Sequence, residues 1–195
     1  MENQDPARRL FLIRALTGVS SAWLALKMPA IVAAQEHAHH AADATGPTKL
    51  DFFSPEQAVE IEAVAAQIIP TDDTPGAREA RVIYFIDRAL KTFDKDKQSQ
   101  YVKGLKDLDA ACRKMFASTP RFSALTSDQQ IKLLKKIEKT EFFSLVRTHT
   151  IMGFLADPSY GGNFDQIGWK AIGFNDQFNF KPPFGFYDRD FKEAQ

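Results

Sequence analysis

The residues best suited to chemistry are few in this 195-residue chain. Three of its four histidines, His37, His39 and His40, lie within four positions and could bind a metal ion loosely. No carboxylates are fixed nearby in the sequence to orient such a site. A solvated polar spacer is therefore the favoured interpretation, and a periplasmic metal-binding protein is kept as an alternative.

The fourth histidine, His149, is a candidate general base with Arg147 beside it and Asp157 further on. A stand-alone periplasmic enzyme built on these residues is a second alternative. A nucleophilic dyad would need Cys112 from another helix, because no second imidazole or thiol lies nearby in the sequence. We expect His149 to make structural hydrogen bonds, and we predict no catalytic, cofactor-binding or metal-binding residue in this chain.

Two further sequence features, a cysteine and a pair of carboxylates, could also take part in chemistry. Cys112 is the one cysteine, which excludes an intrachain disulfide and a multi-thiolate metal site. It lies on an apolar helical stripe, which predicts a buried thiol, and an intersubunit disulfide stays open as an alternative. The adjacent carboxylates Asp72 and Asp73 stand in Thr-Asp-Asp-Thr-Pro, which indicates turn and capping chemistry near the start of a second helix.

Composition excludes several function classes. The chain has 25 basic and 25 acidic side chains, so it lacks the basic excess that nucleic-acid binding requires. No glycine-rich phosphate loop stands between a strand and a helix. Hydrophobic residues make up 44% and charged residues 26%, as in folded globular proteins.

The first 34 residues resemble a twin-arginine export signal. Arg8 and Arg9 are followed by Phe11 and Leu12, and small residues ending at Ala34 suit a signal-peptidase site. The uncharged stretch that follows the arginines is too short for a hydrocarbon core, which needs roughly 20 residues. An ordinary secretory signal or an amphipathic helix is the alternative. We expect export to the periplasm, then a polar His/Ala linker over 35–49 and one domain over 50–195.

Helical periodicity dominates that domain. Capping boxes at Ser54–Gln57 and Thr126–Gln129 predict two helix starts. Other helices are predicted over about 77–92, 97–116 and 142–155, with a short one near Trp169. No alternating strand pattern is present. The sequence predicts an all-α fold, a compact bundle of about five to six helices with a long irregular aromatic-rich C-terminal segment.

That C-terminal segment carries an unusual density of aromatic residues. Six of the 17 phenylalanines lie there, without helical or strand spacing: Phe174, Phe178, Phe180, Phe184, Phe186 and Phe191. Such rings favour binding to another protein, and packing of the segment on its own helices is the alternative. The predicted partner interface comprises Tyr160, Gly161, Gly162, Asn163, Trp169, Phe174, Phe178, Phe180, Phe184 and Phe186.

Several motifs occur in a recognisable order over about 120 residues. They are Phe53–Gln57, Ile68–Ala77, Val82 with Phe85–Asp87, His149–Thr150 with Gly153–Phe154, Asp157–Asn163 and Gly168–Phe174. On these motifs the chain resembles the small subunit (subunit 3, or gamma) of the membrane-associated gluconate 2-dehydrogenase type of flavin dehydrogenase complex.

The resemblance implies a non-catalytic partner. In such complexes a large subunit holds FAD and oxidises a sugar, sugar acid or polyol. A multihaem cytochrome c subunit passes electrons to the membrane quinone pool, which associates the complex with the inner membrane. The folded small subunit is thought to carry the large one through the twin-arginine translocase. By this resemblance the chain binds no cofactor itself.

Overall fold

The computed structural model of the chain describes residues 49–119 and 121–177. Within these ranges there are six α-helices and no strand, which confirms the all-α prediction. The helices are α1 (Pro55–Ile68), α2 (Val82–Lys91), α3 (Gln98–Met115), α4 (Ser127–Ile137), α5 (Glu141–Leu155) and α6 (Ile167–Ile172). The predicted signal, the linker up to residue 48 and the segment from residue 178 lie outside the described residues.

Local sequence accounts for the starts of α1 and α4. The Ser54 hydroxyl accepts from the Gln57 N–H at 3.3 Å, and the Gln57 side chain accepts from the Ser54 N–H at 3.0 Å. Thr126 and Gln129 make the same reciprocal pair at the start of α4. Both predicted capping boxes are therefore confirmed, and each satisfies N–H groups that have no partner within the helix.

The start of α2 differs from the prediction. The helix was expected from about residue 77, but it begins at Val82, because Arg81 has a left-handed backbone (φ 53°). The residues before it form a turn in which the Ala80 N–H donates to the Gly76 carbonyl. Asp72 belongs to the preceding turn, where it accepts from the Thr74 N–H at 2.9 Å. The turn role of this carboxylate is confirmed, but its expected place at the start of α2 is wrong.

Helix α5 is the central element. It packs against α1, α2, α3 and α6, and apolar side chains on several of its sides are buried. The crossing with α2 is close at Gly153, where an added Cβ would lie 2.9 Å from the Phe85 ring. This close crossing places the end of α5 beside the start of α2, which is where the loop after α5 attaches.

Asp87 of α2 ties the beginning of the described chain to the core. Its carboxylate is 1% exposed and accepts three backbone N–H groups, from Asp51 at 2.7 Å, Phe52 at 3.0 Å and Phe53 at 2.9 Å. Bonds to a charged acceptor are among the stronger hydrogen bonds in proteins. They hold Phe53 where its ring packs edge-on against Tyr101 of α3.

None of the helices in the described ranges combines the length and the apolar character needed to cross a bilayer.

Replacing Asp87 with Ala should lower the free energy of unfolding by about 2–4 kcal/mol, because three N–H groups lose a charged acceptor. Urea denaturation of the purified chain followed by circular dichroism measures the change. Asp107→Ala is the matched control, since the exposed Asp107 only pairs with Lys103 at 2.9 Å and should cost less than about 1 kcal/mol. Equal losses in the two variants would contradict the role given to Asp87.

Candidate functional site

A buried polar chain joins three elements of the core. The Tyr101 hydroxyl of α3 lies 2.9 Å from Nδ1 of His149 on α5, and Nε2 of His149 lies 3.1 Å from the Asp94 carboxylate, which follows α2. All three side chains are at most 1% exposed. An ionised Asp94 accepts from Nε2–H, which leaves Nδ1 to accept the Tyr101 proton. His149 thus makes the structural hydrogen bonds that we expected.

Within this polar chain the Tyr101 hydroxyl donates to His149, because the hydroxyl stays protonated. Burial, with the nearby Asp94 carboxylate, raises the pKa of the Tyr101 hydroxyl well above its ordinary value. Its ring stacks on the imidazole of His149, with 5.7 Å between centroids, and meets the edge of Phe142 at 5.9 Å. Aromatic contacts therefore cover the Tyr101 end of the polar chain.

The cavity beside this chain does not turn His149 into an accessible base. Asp94 and His149 border a surface cavity of about 470 Å³ whose other polar lining residues are Lys97, Gln100, Lys139, Thr140, Glu141, Ser144 and Thr148. Both imidazole nitrogens already have partners inside the protein. No hydrogen bond or ion pair joins His149 to Arg147 or Asp157 within the described ranges. Asp157 instead accepts from the Ser159 N–H at 2.8 Å.

Metal ligands do not converge in the described part of the chain. No group of three or more His, Cys, Asp or Glu side chains there could hold a metal ion. His37, His39 and His40 lie outside the described residues, so the solvated spacer stays a prediction and metal binding stays its alternative.

The second candidate region is the loop between α5 and α6 (residues 156–166), which folds back on the end of α5. Asn163 is fully buried, and its side chain donates to the Ala156 carbonyl at 2.8 Å and accepts from the Gly168 N–H at 2.7 Å. The Trp169 indole donates to the Leu155 carbonyl at 2.8 Å. Two carbonyls at the end of α5 thereby obtain partners that the helix cannot supply.

Glycines permit this close return of the chain. A Cβ on Gly162 would overlap the carbonyl of Gly153, and one on Gly168 would overlap the carbonyl of Phe154. The loop is also held to α2, because the Arg88 guanidinium donates to the Ser159 carbonyl at 3.0 Å. The loop and α6 are therefore fitted directly against the α5 backbone.

The predicted interface residues divide into buried and accessible positions. Gly162 and Asn163 are buried, so they can shape a partner surface but cannot contact a partner directly. Tyr160, Gly161 and Trp169 are half-buried, and Phe174 is 46% exposed with its ring 5.2 Å from that of Trp169. Four further predicted residues, Phe178, Phe180, Phe184 and Phe186, lie outside the described residues.

Sequence reasoning missed two residues of this region. Phe164 is 45% exposed, and the guanidinium of Arg81 lies 3.7 Å from the centre of its ring. Phe164 directly follows the Gly-Gly-Asn motif, so its position beside a close turn was an available signal. Nothing in the local sequence links it to Arg81.

Comparison with known families relates this fold to a biological assembly. The family described as gluconate 2-dehydrogenase subunit 3 matches residues 55–176, a range that contains all six described helices and the α5–α6 loop. The chain belongs to the gluconate 2-dehydrogenase subunit 3 family. Membership implies a place in an oxidoreductase complex with other subunits. No curated protein and no solved structure matches the chain.

In this family member the lone cysteine is sequestered. Cys112 is fully buried on α3, as predicted, and burial together with Glu60 and Asp109 raises the pKa of its thiol to about 11. A neutral, enclosed thiol is a poor nucleophile. An intersubunit disulfide through Cys112 would require α3 to open.

The Cys112 thiol should react with Ellman's reagent at pH 8 at least about 100-fold more slowly in the native chain than in urea, since only opened molecules expose it. The absorbance of the released thiolate measures both rates. The control carries Cys112→Ala with Ser99→Cys, which moves the thiol to an exposed position and should react rapidly without urea. Fast native reaction of Cys112 would contradict its burial.

Replacing Tyr101 with Phe should lower the free energy of unfolding by about 1–2 kcal/mol at pH 7, because Nδ1 of His149 loses its donor. The pKa of the Tyr101 hydroxyl is raised in the folded state. The protonated hydroxyl therefore makes its full contribution to stability below the unfolded-state pKa near 10, and this contribution is lost as the pH rises above that pKa. The variant should therefore lose less stability than its parent between pH 9 and 11.

Urea titrations across that pH range test the prediction. Both proteins should carry Cys112→Ala, because the Cys112 thiol titrates in the same range. Parallel alkaline losses in the two proteins would contradict the assignment to Tyr101.

Proposed function

We propose that the chain is a non-catalytic small subunit of a periplasmic FAD-dependent dehydrogenase complex that oxidises gluconate, another sugar acid, a sugar or a polyol. In this proposal it stabilises the flavin-bearing large subunit and carries it through the twin-arginine translocase. The observation that carries the proposal is the family match over the whole described helical fold. FAD belongs to the large subunit and haem c to a multihaem cytochrome subunit, as the resemblance implies.

The chemistry of the core supports a role in binding. Its buried histidine is engaged on both ring nitrogens, and its thiol is enclosed and protonated. The most accessible aromatic rings of the described region, Phe164 and Phe174, lie in and after the α5–α6 loop. Exposed rings held by a close-packed frame suit protein contact, because little side-chain entropy is lost on binding.

The redox chemistry of the chain supports export after folding. The twin-arginine route carries proteins that have already folded in the reducing cytoplasm. This core closes around a free thiol and has no disulfide to form, so it can be complete before translocation. A folded large subunit bound to it could then cross under the one signal that contains Arg8, Arg9, Phe11 and Leu12. The complex would remain at the inner membrane through its cytochrome subunit.

Expression of the large subunit alone, with the intact chain, and with the Arg8→Lys, Arg9→Lys chain should separate the two roles. Soluble flavin-loaded large subunit should rise several-fold with either form of the chain, because both provide the same fold. Its appearance in the periplasm should require the intact arginines. Flavin absorbance and dehydrogenase activity in each cell fraction measure the outcome.

A control large subunit fused to its own twin-arginine signal should reach the periplasm with either form of the chain. Equal flavin loading with and without the chain would contradict the stabilising role. Normal export of the unfused large subunit beside the double Lys variant would contradict carriage by the chain.

A further inference from the structure

We infer that Arg81 and Phe164 anchor the chain to the large subunit, with Arg81 binding an Asp or Glu carboxylate and Phe164 entering an adjacent apolar pocket. This Arg81–Phe164 pair lies at the junction of the turn before α2 and the α5–α6 loop. The inference rests on the proposed function and specifies which surface and which partner chemistry achieve it.

The first argument is the state of the two side chains. Phe164 leaves 45% of its surface exposed although it is a large apolar residue. The Arg81 guanidinium lies over its ring at 3.7 Å and makes no hydrogen bond or ion pair with any residue of the described ranges. Stacking therefore restrains the guanidinium while its N–H donors remain available.

The second argument is the backbone that holds the pair. All four non-glycine residues with positive φ in the described ranges lie at this junction: Arg81, Asn163, Asp165 and Gln166, with φ of 47–56°. A left-handed conformation costs roughly 1–2 kcal/mol for a residue such as Arg81 or Gln166, whereas Asn163 and Asp165 are residue types that adopt it more readily. Strained conformations of this kind concentrate at binding and switch sites, where the surrounding structure enforces them.

The surrounding structure does enforce them here. The Phe164 N–H donates to the Ala80 carbonyl at 3.1 Å, which joins the two loops directly next to Arg81 and Phe164. The Gln166 N–H donates to the Asn163 carbonyl at 2.8 Å, and the buried Asn163 side chain fixes the loop to the end of α5. The pair is thus presented by backbone that hydrogen bonds hold on both sides of Phe164.

The third argument is the chemistry of the partner. Arginine and aromatic residues are enriched among the residues that dominate binding energy at protein interfaces. A stacked guanidinium matches a carboxylate in a two-point hydrogen bond, and the neighbouring exposed ring requires apolar surface. The Trp169–Phe174 ring pair extends the aromatic surface, since Phe174 is 46% exposed. A protein surface that places an acidic side chain beside an apolar pocket satisfies both members of the pair.

The test uses the full-length chain, tagged and co-expressed with the large subunit. Arg81→Glu and Phe164→Ser should each reduce the co-purified large subunit at least tenfold, because each removes one half of the anchor. Arg81→Lys should give an intermediate loss, since lysine keeps the charge but not the two-point geometry. Lys132→Glu, an equal charge change at an exposed position of α4, should bind like the wild type.

A second measurement holds even where a variant folds poorly. Replacement of Phe164 by photoreactive p-benzoylphenylalanine should give a cross-link to the large subunit, and the same replacement of Val102, which is 39% exposed on α3, should not. If Arg81 binds a carboxylate of the large subunit, the Asp or Glu nearest the cross-link is its partner. Changing that acidic residue to Arg should restore binding of the Arg81→Glu chain.

The outcomes separate the inference from the proposed function. If the wild type co-purifies the large subunit while the variants bind equally well and position 164 gives no cross-link, the anchor is overturned and the proposed function stands. A cross-link from position 164 to residues 178–195 of the same chain also overturns the anchor, because the ring is then covered internally. If the wild type does not co-purify the large subunit at all, the proposed function fails and the anchor with it.

Discussion

The return of the α5–α6 loop onto the end of α5 is the constraint on which the candidate interface depends. One buried amide, that of Asn163, satisfies both a carbonyl of the helix end and an N–H of the next helix. Buried polar groups need such partners, and this arrangement of the loop supplies them. The glycines at 162 and 168 remove the side chains that would prevent it. The orientation of α6 and the exposure of Phe164 follow from this contact.

The core also contains buried polar groups that need hydrogen-bond partners, those of Tyr101, His149 and Asp94. A buried carboxylate is stable only when it is hydrogen-bonded or paired. The imidazole of His149 hydrogen-bonds the Asp94 carboxylate, and the Tyr101 hydroxyl hydrogen-bonds the other nitrogen of that imidazole. Both imidazole nitrogens of His149 are engaged in these hydrogen bonds, which join α3, α5 and the turn after α2. The histidine and tyrosine of this core therefore contribute to its cohesion.

The motifs that carry the family resemblance contain buried residues, which lie next to accessible ones. Gly162, Asn163 and Gly168 build the frame and are buried, so they are poor candidates for direct contact with another subunit. The accessible positions, Arg81, Phe164 and Phe174, lie on that frame. A close-packed support beneath exposed rings lowers the entropy cost of association. Buried motif residues such as Asn163 therefore support the accessible positions beside them.

Features that depend on neighbouring residues could be predicted from the sequence alone. The capping boxes at Ser54 and Thr126 and the burial of Cys112 follow from short-range spacing, because capping and amphipathic periodicity are local effects. Only the tertiary structure decided where α2 begins, since the left-handed Arg81 is held by contacts with a loop far along the chain. The Asp87 contacts with residues 51–53 and the partners of His149 are long-range in the same sense. They depend on which elements pack together, and residue spacing within one element carries no information about that.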